Sequence, residues 1–123
     1  MARAESVEAW LDEDAQVVRQ RVAGAMDLED FNRLEALTAK CRQRLRDPAN
    51  MHILVDAGRM RQADLQVRRH SMGTLRRPEL RRMAFFGGGA LTRVLLLFAG
   101  LALGTDKARA FRTEKEALEW LLQ

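Results

Sequence analysis

Residues 51–58, MHILVDAG, decide how this sequence is organised. An apolar run that ends in an acid and a glycine is typical of a short strand buried on both of its faces. Helical patterns lie on either side of this run, as they do around a central strand of a parallel sheet. We therefore expect a strand over 51–56, followed by a basic loop over 58–62.

Two β-type segments precede this strand. Residues 7–11 and 17–23 are rich in apolar side chains, and the polar residues 12–16 separate the two segments. In the second segment Arg19 and Arg21 alternate with less polar residues, which indicates that one face of the strand is wetter. The pattern predicts an antiparallel hairpin at a sheet edge, where charged side chains discourage pairing with another chain.

The helical patterns begin at recognisable caps. Asp27 fits the N-cap of a long helix, because its carboxylate can accept from the free N–H groups of the first turn. Thr113 and Glu116 have the spacing of a capping box, in which each side chain accepts from the other residue's backbone N–H. Further helices are predicted over 64–76 and 90–103.

Strands are also predicted over 81–86 and 107–111, so the elements follow the order ββαβαβαβα. This alternation predicts an α/β fold with a mostly parallel sheet, right-handed crossovers and the N-terminal antiparallel hairpin. A chain of 123 residues fits a single domain that spans residues 1–123. The first residues contain no apolar signal region, so we expect a cytoplasmic protein without a transmembrane segment.

The chain carries a formal net charge of +4, and its positive charge is concentrated in residues 59–82. This segment has eight arginines, among them Arg61, Arg68 and Arg69, against two acids. It is either a solvated basic face or a docking surface for an acidic protein, an anionic lipid or a nucleic acid. The segment has no aromatic residue on which a base could stack, so a nucleic acid is the weakest of these partners.

The predicted helix over 90–103 is apolar on nearly all sides. It is shorter than the roughly 20 residues needed to span a bilayer, and it contains Arg93. Leu96, Gly100 and Leu103 fall opposite its main apolar arc, and a helix of this kind needs a second surface to cover it. Three explanations stay open: contact with a second copy of the chain or another protein, contact with lipid, and a few tolerated surface leucines.

No arrangement of residues in the sequence predicts catalysis. Asp56 ends the central strand, where parallel sheets place ligands, but a local hydrogen bond is the simpler role. His52 and His70 lack metal-ligand spacing, and Cys41 falls on an apolar helix face, so neither a metal nor a cofactor is expected. The segment Gly87-Gly88-Gly89 follows a strand and forms either a tight turn or an anion-binding site.

Three segments carry a family resemblance: ILVD at 53–56, MAFFG at 83–87 and AFRTEKEALEWL at 110–121. Together with the order of elements they resemble the STAS domain (sulfate transporter and anti-sigma-factor antagonist), in particular its SpoIIAA-like bacterial branch. The resemblance extends over essentially the whole chain. It implies a small α/β domain without a cofactor that acts by binding protein partners rather than as an enzyme.

In the anti-sigma antagonists that this chain resembles, a phosphorylatable serine or threonine stands where the second helix begins. The corresponding stretch here, residues 61–65, includes Ala63 and Asp64 and contains no hydroxyl. Asp64 could supply a constant negative charge or serve as a plain N-cap. The resemblance therefore implies a regulatory interaction domain without the phosphorylation switch. The alternative is a domain that binds lipid or a small hydrophobic ligand through 90–103, because a divergent branch is also similar to lipid-binding domains.

Overall fold

The computed structural model describes residues 7–63, 69–70, 73–89 and 107–123. These residues contain the helices α1 (Leu28–Gln43) and α2 (Glu114–Leu121) and the strands β1 (Val7–Asp12), β2 (Val17–Met26), β3 (Met51–Ala63), β4 (Leu80–Phe86) and β5 (Ala108–Phe111). The predicted helix over 90–103 lies outside the described residues. Within the predicted helix over 64–76, residues 69–70 and 73–75 are helical.

The described strands form one sheet in the order β1-β2-β3-β4-β5. β1 and β2 are antiparallel, with Val7 opposite Val22 and Asp12 opposite Val17. The pairings of β2 with β3, β3 with β4, and β4 with β5 are all parallel. This arrangement confirms the predicted α/β fold, its mostly parallel sheet and the antiparallel hairpin at one edge.

The apolar run in β3 is buried on both faces of the sheet. Ile53, Leu54 and Val55 are each at most 2% exposed. Ile53 and Val55 belong to the core cluster that contains the apolar face of α1, whereas Leu54 belongs to the cluster that contains α2. Successive side chains of a strand point to opposite faces, so a strand between two helical layers has to be apolar at every position.

One polar contact links α1 to the sheet within an otherwise apolar layer. Gln20 is 5% exposed, and its Nε2 donates to the Thr38 hydroxyl over 2.9 Å. The Thr38 hydroxyl in turn donates to the Leu34 carbonyl over 2.7 Å. The Gln20 amide nitrogen and the Thr38 hydroxyl therefore both have a hydrogen-bond partner, as burial in a low-dielectric interior requires. Because α1 would lose this contact in any other position, the contact helps to fix where α1 packs on the sheet.

The helix caps agree with the sequence in part. The Asp27 carboxylate accepts from the Asp30 N–H over 2.9 Å, which confirms the predicted N-cap. Asp30 completes a capping box by accepting from the Asp27 N–H over 3.2 Å, a reciprocal bond that was not predicted. Thr113 caps α2 by accepting from the Glu116 N–H, but the Glu116 carboxylate accepts from the Thr113 hydroxyl. The predicted return bond to the Thr113 backbone is therefore wrong.

The predicted basic loop over 58–62 is also wrong, because β3 continues as a strand to Ala63. It remains paired with β2, which itself runs to Met26 rather than ending near residue 23. The extension lacks the apolar run that marks the start of β3. Arg59 is exposed, whereas Met60 packs against the core beneath α1, which is the alternation expected of a half-buried strand. In the sequence, Gly58, Arg59 and Arg61 make this segment look like a loop instead.

Candidate functional site

The middle of β2 and β3 and the end of β4 bring together the polar residues that the sequence placed on separate elements. Arg21 of β2 lies opposite Asp56 of β3, and Asp56 lies opposite Phe86 of β4. Gly87 follows directly after Phe86, where β4 ends. Parallel sheets commonly bind ligands at the carboxyl ends of their strands, so the row at the end of β4 is a natural place to look for a site.

A β-bulge in β3 determines which side chains reach this place. Arg21 pairs with Asp56, but the next pair is Ala23 with Arg59, so two residues of β3 stand opposite the single residue Val22. In an unbroken strand, side chains three residues apart point to opposite faces. The extra residue re-aims Arg59, which lines the same cleft as Asp56.

The resulting cleft is lined by Arg21, Val22, Asp56 and Arg59 and has a volume of about 250 Å³; we call it the β2–β3 cleft. The Asp56 Oδ1 atom accepts from the Gly58 N–H over 3.0 Å, which is the local hydrogen bond expected for this acid. Its Oδ2 atom lies 3.7 Å from Arg21 Nε. That separation is an ion pair without a hydrogen bond, so Asp56 and Arg21 are only loosely joined.

Arg21 also contacts the edge strand β1. Its guanidinium lies 5.3 Å from the centroid of the Trp10 ring, within the range of a cation–π interaction. Its Nη1 atom is 3.7 Å from the Glu8 carboxylate. Arg21 thus connects the β2–β3 cleft to the exposed ring of Trp10.

Arg19, on the same face of β2, is bound far more firmly than Arg21. Its Nε donates to Asp12 over 3.0 Å, and its Nη1 also donates to Glu114 at the start of α2. The Ala15 N–H and the Arg19 guanidinium hold the pKa of Asp12 below its ordinary value, against the opposing effect of burial. Arg19 is therefore a structural tie between the hairpin and α2, whereas Arg21 forms no hydrogen bond within the described residues.

The segment Gly87-Gly88-Gly89, for which the sequence allows either a tight turn or an anion-binding site, begins beside the cleft. Gly87 has a φ of +78°, a region that favours glycine. A Cβ atom on Gly87 would lie 3.0 Å from the Gly58 Cα and 3.2 Å from its nitrogen. The main chains of β3 and of the turn after β4 are therefore in direct contact, and a side chain at Gly87 would require the Gly58 main chain to shift.

The two histidines and the cysteine lie on separate elements. His52 is half-buried on β3 opposite Arg82, and burial together with the charges of Arg82 and Arg81 lowers the pKa of its imidazole. Burial raises the pKa of the Cys41 thiol, which fills the core beneath α1 as expected. Within the described ranges, no group of three or more His, Cys, Asp or Glu residues could hold a metal ion.

A second cluster of arginines and aromatic rings lies under α2. The Arg82 guanidinium is 4.9 Å from the Trp120 ring centroid, and its Nη1 donates to the Trp120 carbonyl over 2.6 Å. Arg109 lies 5.5 Å from the Phe111 ring and 5.7 Å from that of Trp120. These arginines hold the C-terminal helix against β4 and β5, so their contacts already explain them.

The surface predicted from the apolar helix is not among the described residues. The predicted residues outside the described part of the chain are Asp64, Arg68, Arg93, Leu96, Gly100 and Leu103. Of the other predicted residues, Arg61 and Ala63 belong to β3, and Arg69 is exposed. For the part of the chain that is described, no helix combines the length and apolar character needed to cross a membrane.

A family model described as SpoIIAA-like matches residues 17–122, which is most of the chain. The chain belongs to the SpoIIAA-like family. This confirms the resemblance found in the sequence. No curated protein sequence matches the chain.

Two solved structures share the fold of this SpoIIAA-like chain. One is an uncharacterised protein of the DUF3478 family with a SpoIIAA-like fold from Shewanella loihica PV-4, with a TM-score of 0.74 and 17% sequence identity; the match covers 98% of each chain. The other is the anti-sigma factor antagonist SpoIIAA in its unphosphorylated form, with a TM-score of 0.66 and 16% identity over 93% of this chain and 96% of that chain. At such identities the likeness shows the fold alone.

The sequence held a signal for only part of this site. The alternation of Arg19 and Arg21 with apolar residues placed both arginines on the wetter face of β2, but it did not distinguish the tied one from the available one. Arg59 was assigned to a loop. Trp10 was counted as an ordinary strand residue, and its exposure follows only from the position of β1 at the sheet edge.

We expect Gly87→Ala to lower the free energy of unfolding more than Gly24→Ala does. Both positions have a positive φ, which costs a residue with a Cβ about 1–2 kcal/mol. A Cβ on Gly24 would meet nothing within 4 Å, whereas one on Gly87 would collide with Gly58. Denaturant unfolding measures both losses, and equal losses would show that the Gly58–Gly87 contact is unimportant.

We expect His52→Gln to reduce the loss of stability on acidification. The imidazole of His52 has a folded-state pKa below its ordinary 6.5, so the unfolded chain binds a proton more readily and folding weakens as the pH falls from about 6.5 toward the lowered value. Unfolding free energies measured at pH 7.5 and at several lower pH values should decline less steeply in the variant. Identical slopes in the two proteins would contradict this role.

Proposed function

We propose that this SpoIIAA-like protein is a non-enzymatic regulatory domain that binds a protein partner and is not switched by phosphorylation at the usual position of the family. Its membership of the family and its likeness to the fold of an anti-sigma factor antagonist support this proposal. The observation that carries it is the exposed tryptophan on the edge strand.

Trp10 exposes 37% of its surface although it belongs to the sheet. Among the described strands, the one that presents it, β1, is paired on one side only, with β2. Arg21 lies against the ring and extends the surface toward the β2–β3 cleft. Tryptophan and arginine supply a large share of the binding energy in protein interfaces, so this pair is the best candidate for the centre of a docking surface.

The region of the family's phosphorylation site supports binding without a phosphorylation switch. β3 extends to Ala63, and residues 51–70 contain neither serine nor threonine. Further along, the Thr74 hydroxyl donates to the Glu35 carboxylate over 2.7 Å, and Arg77 pairs with the same carboxylate at 3.2 Å. A phosphate on Thr74 would break that hydrogen bond and repel Glu35.

Photo-crosslinking tests the docking surface. A crosslinking amino acid that replaces Trp10 should give one discrete covalent adduct in the cells that produce the protein, because the side chain at that position would lie inside the interface. The matched control places the same amino acid at Leu122, which is 52% exposed at the C-terminal end of α2. Equal labelling from both positions, or none from position 10, would count against the proposal.

The residues predicted from the sequence remain a proposed second surface. We propose that Leu96, Gly100 and Leu103, with Arg93 beside them and the basic Arg61, Arg68 and Arg69 earlier in the chain, contribute to contact with another protein or with a second copy of this chain. The alternative, binding of a lipid or small hydrophobic ligand by the same residues, would show as co-sedimentation with neutral lipid vesicles.

We expect Leu96→Glu and Leu103→Glu each to convert a homodimer into a monomer, because a buried carboxylate without a partner opposes association. Light scattering over a range of concentrations measures the mass directly. Leu122→Glu is the control, since it adds the same charge at a position that is already exposed. A wild-type monomer whose solubility is unchanged by either substitution would remove the self-association proposal.

A further inference from the structure

We propose that the β2–β3 cleft binds the phosphate group of a small phosphate ester, with Arg59 as its anchor and Arg21 as a second donor. The site shares Arg21 with the proposed partner surface at Trp10, but its anchor Arg59 does not belong to that surface, so either proposal can fail without the other. It rests on the availability of the two guanidinium groups, on the shape that the bulge creates, and on the position of Asp56.

Arg59 has no compensating acid within the described part of the chain. It is exposed at the bulge, and it forms neither an ion pair nor a hydrogen bond there. Two other arginines of the sheet have partners of their own: Arg19 binds Asp12 and Glu114, and Arg82 binds the Trp120 carbonyl. A guanidinium that lines a cleft without a partner presents a planar fork of donors suited to the oxygens of a phosphate.

Arg21 can supply the second set of donors. Its two carboxylate neighbours, Asp56 and Glu8, both lie at 3.7 Å, beyond hydrogen-bond distance. These acids offset much of the positive charge of Arg21, so the cleft does not attract every anion by charge alone. Binding therefore has to come from the directed N–H groups of two guanidiniums rather than from a strong positive field, which favours a compact oxyanion with several acceptor oxygens.

Asp56 indicates what else the ligand carries. Its Oδ1 atom already accepts from the Gly58 N–H, and its Oδ2 atom faces Arg21 without a hydrogen bond. An ionised carboxylate has about four acceptor positions, so Asp56 can accept from a hydroxyl next to the phosphate. A volume of about 250 Å³ accommodates a phosphate with a short hydroxylated carbon chain. Such a group occurs in soluble esters and in lipid headgroups.

Titration of the full chain with glycerol 3-phosphate, followed by amide NMR shifts at constant ionic strength, tests the proposal. We expect saturable shifts centred on Arg21, Gly58 and Arg59. Arg59→Gln should weaken binding by about tenfold or more, because a charge-assisted hydrogen bond is lost. Arg46→Gln is the control: it removes the same charge from an exposed side chain near the opposite end of β2 and should leave the affinity unchanged.

Vesicles distinguish the two sources of the phosphate. Co-sedimentation with phosphatidylcholine vesicles that contain phosphatidic acid, lost in Arg59→Gln and competed by glycerol 3-phosphate, would identify a headgroup. Saturable NMR shifts without vesicle binding would identify a soluble ester. The proposal is overturned if glycerol 3-phosphate produces no saturable shifts, or if Arg46→Gln weakens binding as much as Arg59→Gln does.

Discussion

The burial of β3 on both faces is the constraint on which the rest of this structure depends. Ile53 and Val55 meet the layer formed by α1, and Leu54 meets the layer formed by α2. With about 25 cal/mol gained per Å² of apolar surface removed from water, three fully buried aliphatic side chains stabilise the fold strongly. No polar side chain can interrupt this run without a partner, so polar residues are confined to its ends.

This confinement explains why Asp56 lies where it does and why a site can form there. The apolar run of β3 ends at Asp56, and one bulge later the strand presents Arg59 to the same cleft. The main chain of Gly58 satisfies one carboxylate oxygen, which holds the acid in place. The core thus positions the polar end of the strand, and the bulge selects the side chains that reach the cleft.

Much of the fold could be predicted from the sequence because its signals are local. The hairpin, the start of β3, the N-cap at Asp27 and the Phe111 strand each follow from the pattern of a few neighbouring residues. The second half of β3 could not be predicted in this way. Its Gly58, Arg59 and Arg61 resemble a loop, and only the pairing of Arg59, Met60, Gln62 and Ala63 with a longer β2 keeps this part of the chain a strand. For the same reason the cleft was missed, since a bulge is a property of two paired strands and leaves no mark in either one alone.

The triple glycine at 87–89 is a further feature that the sequence marks without showing what it contacts. A triple glycine after a strand indicates a turn or an anion site, yet Gly87 lies against Gly58 of the neighbouring strand. Spacing within one segment carries no information about this contact. The family match and the fold of its relatives place the whole chain in context, but they do not assign roles to these two residues.

The contact between Gly58 and Gly87 also limits how the cleft can change. A Cβ atom on Gly87 would press on the main chain of Gly58, so a side chain can be added there only if β3 and the turn after β4 move apart. Arg21 and Arg59, by contrast, are exposed and line the cleft, so they can be exchanged without disturbing that contact. Two descendants of one ancestor could then differ in what they recognise while keeping the same contact between the two main chains.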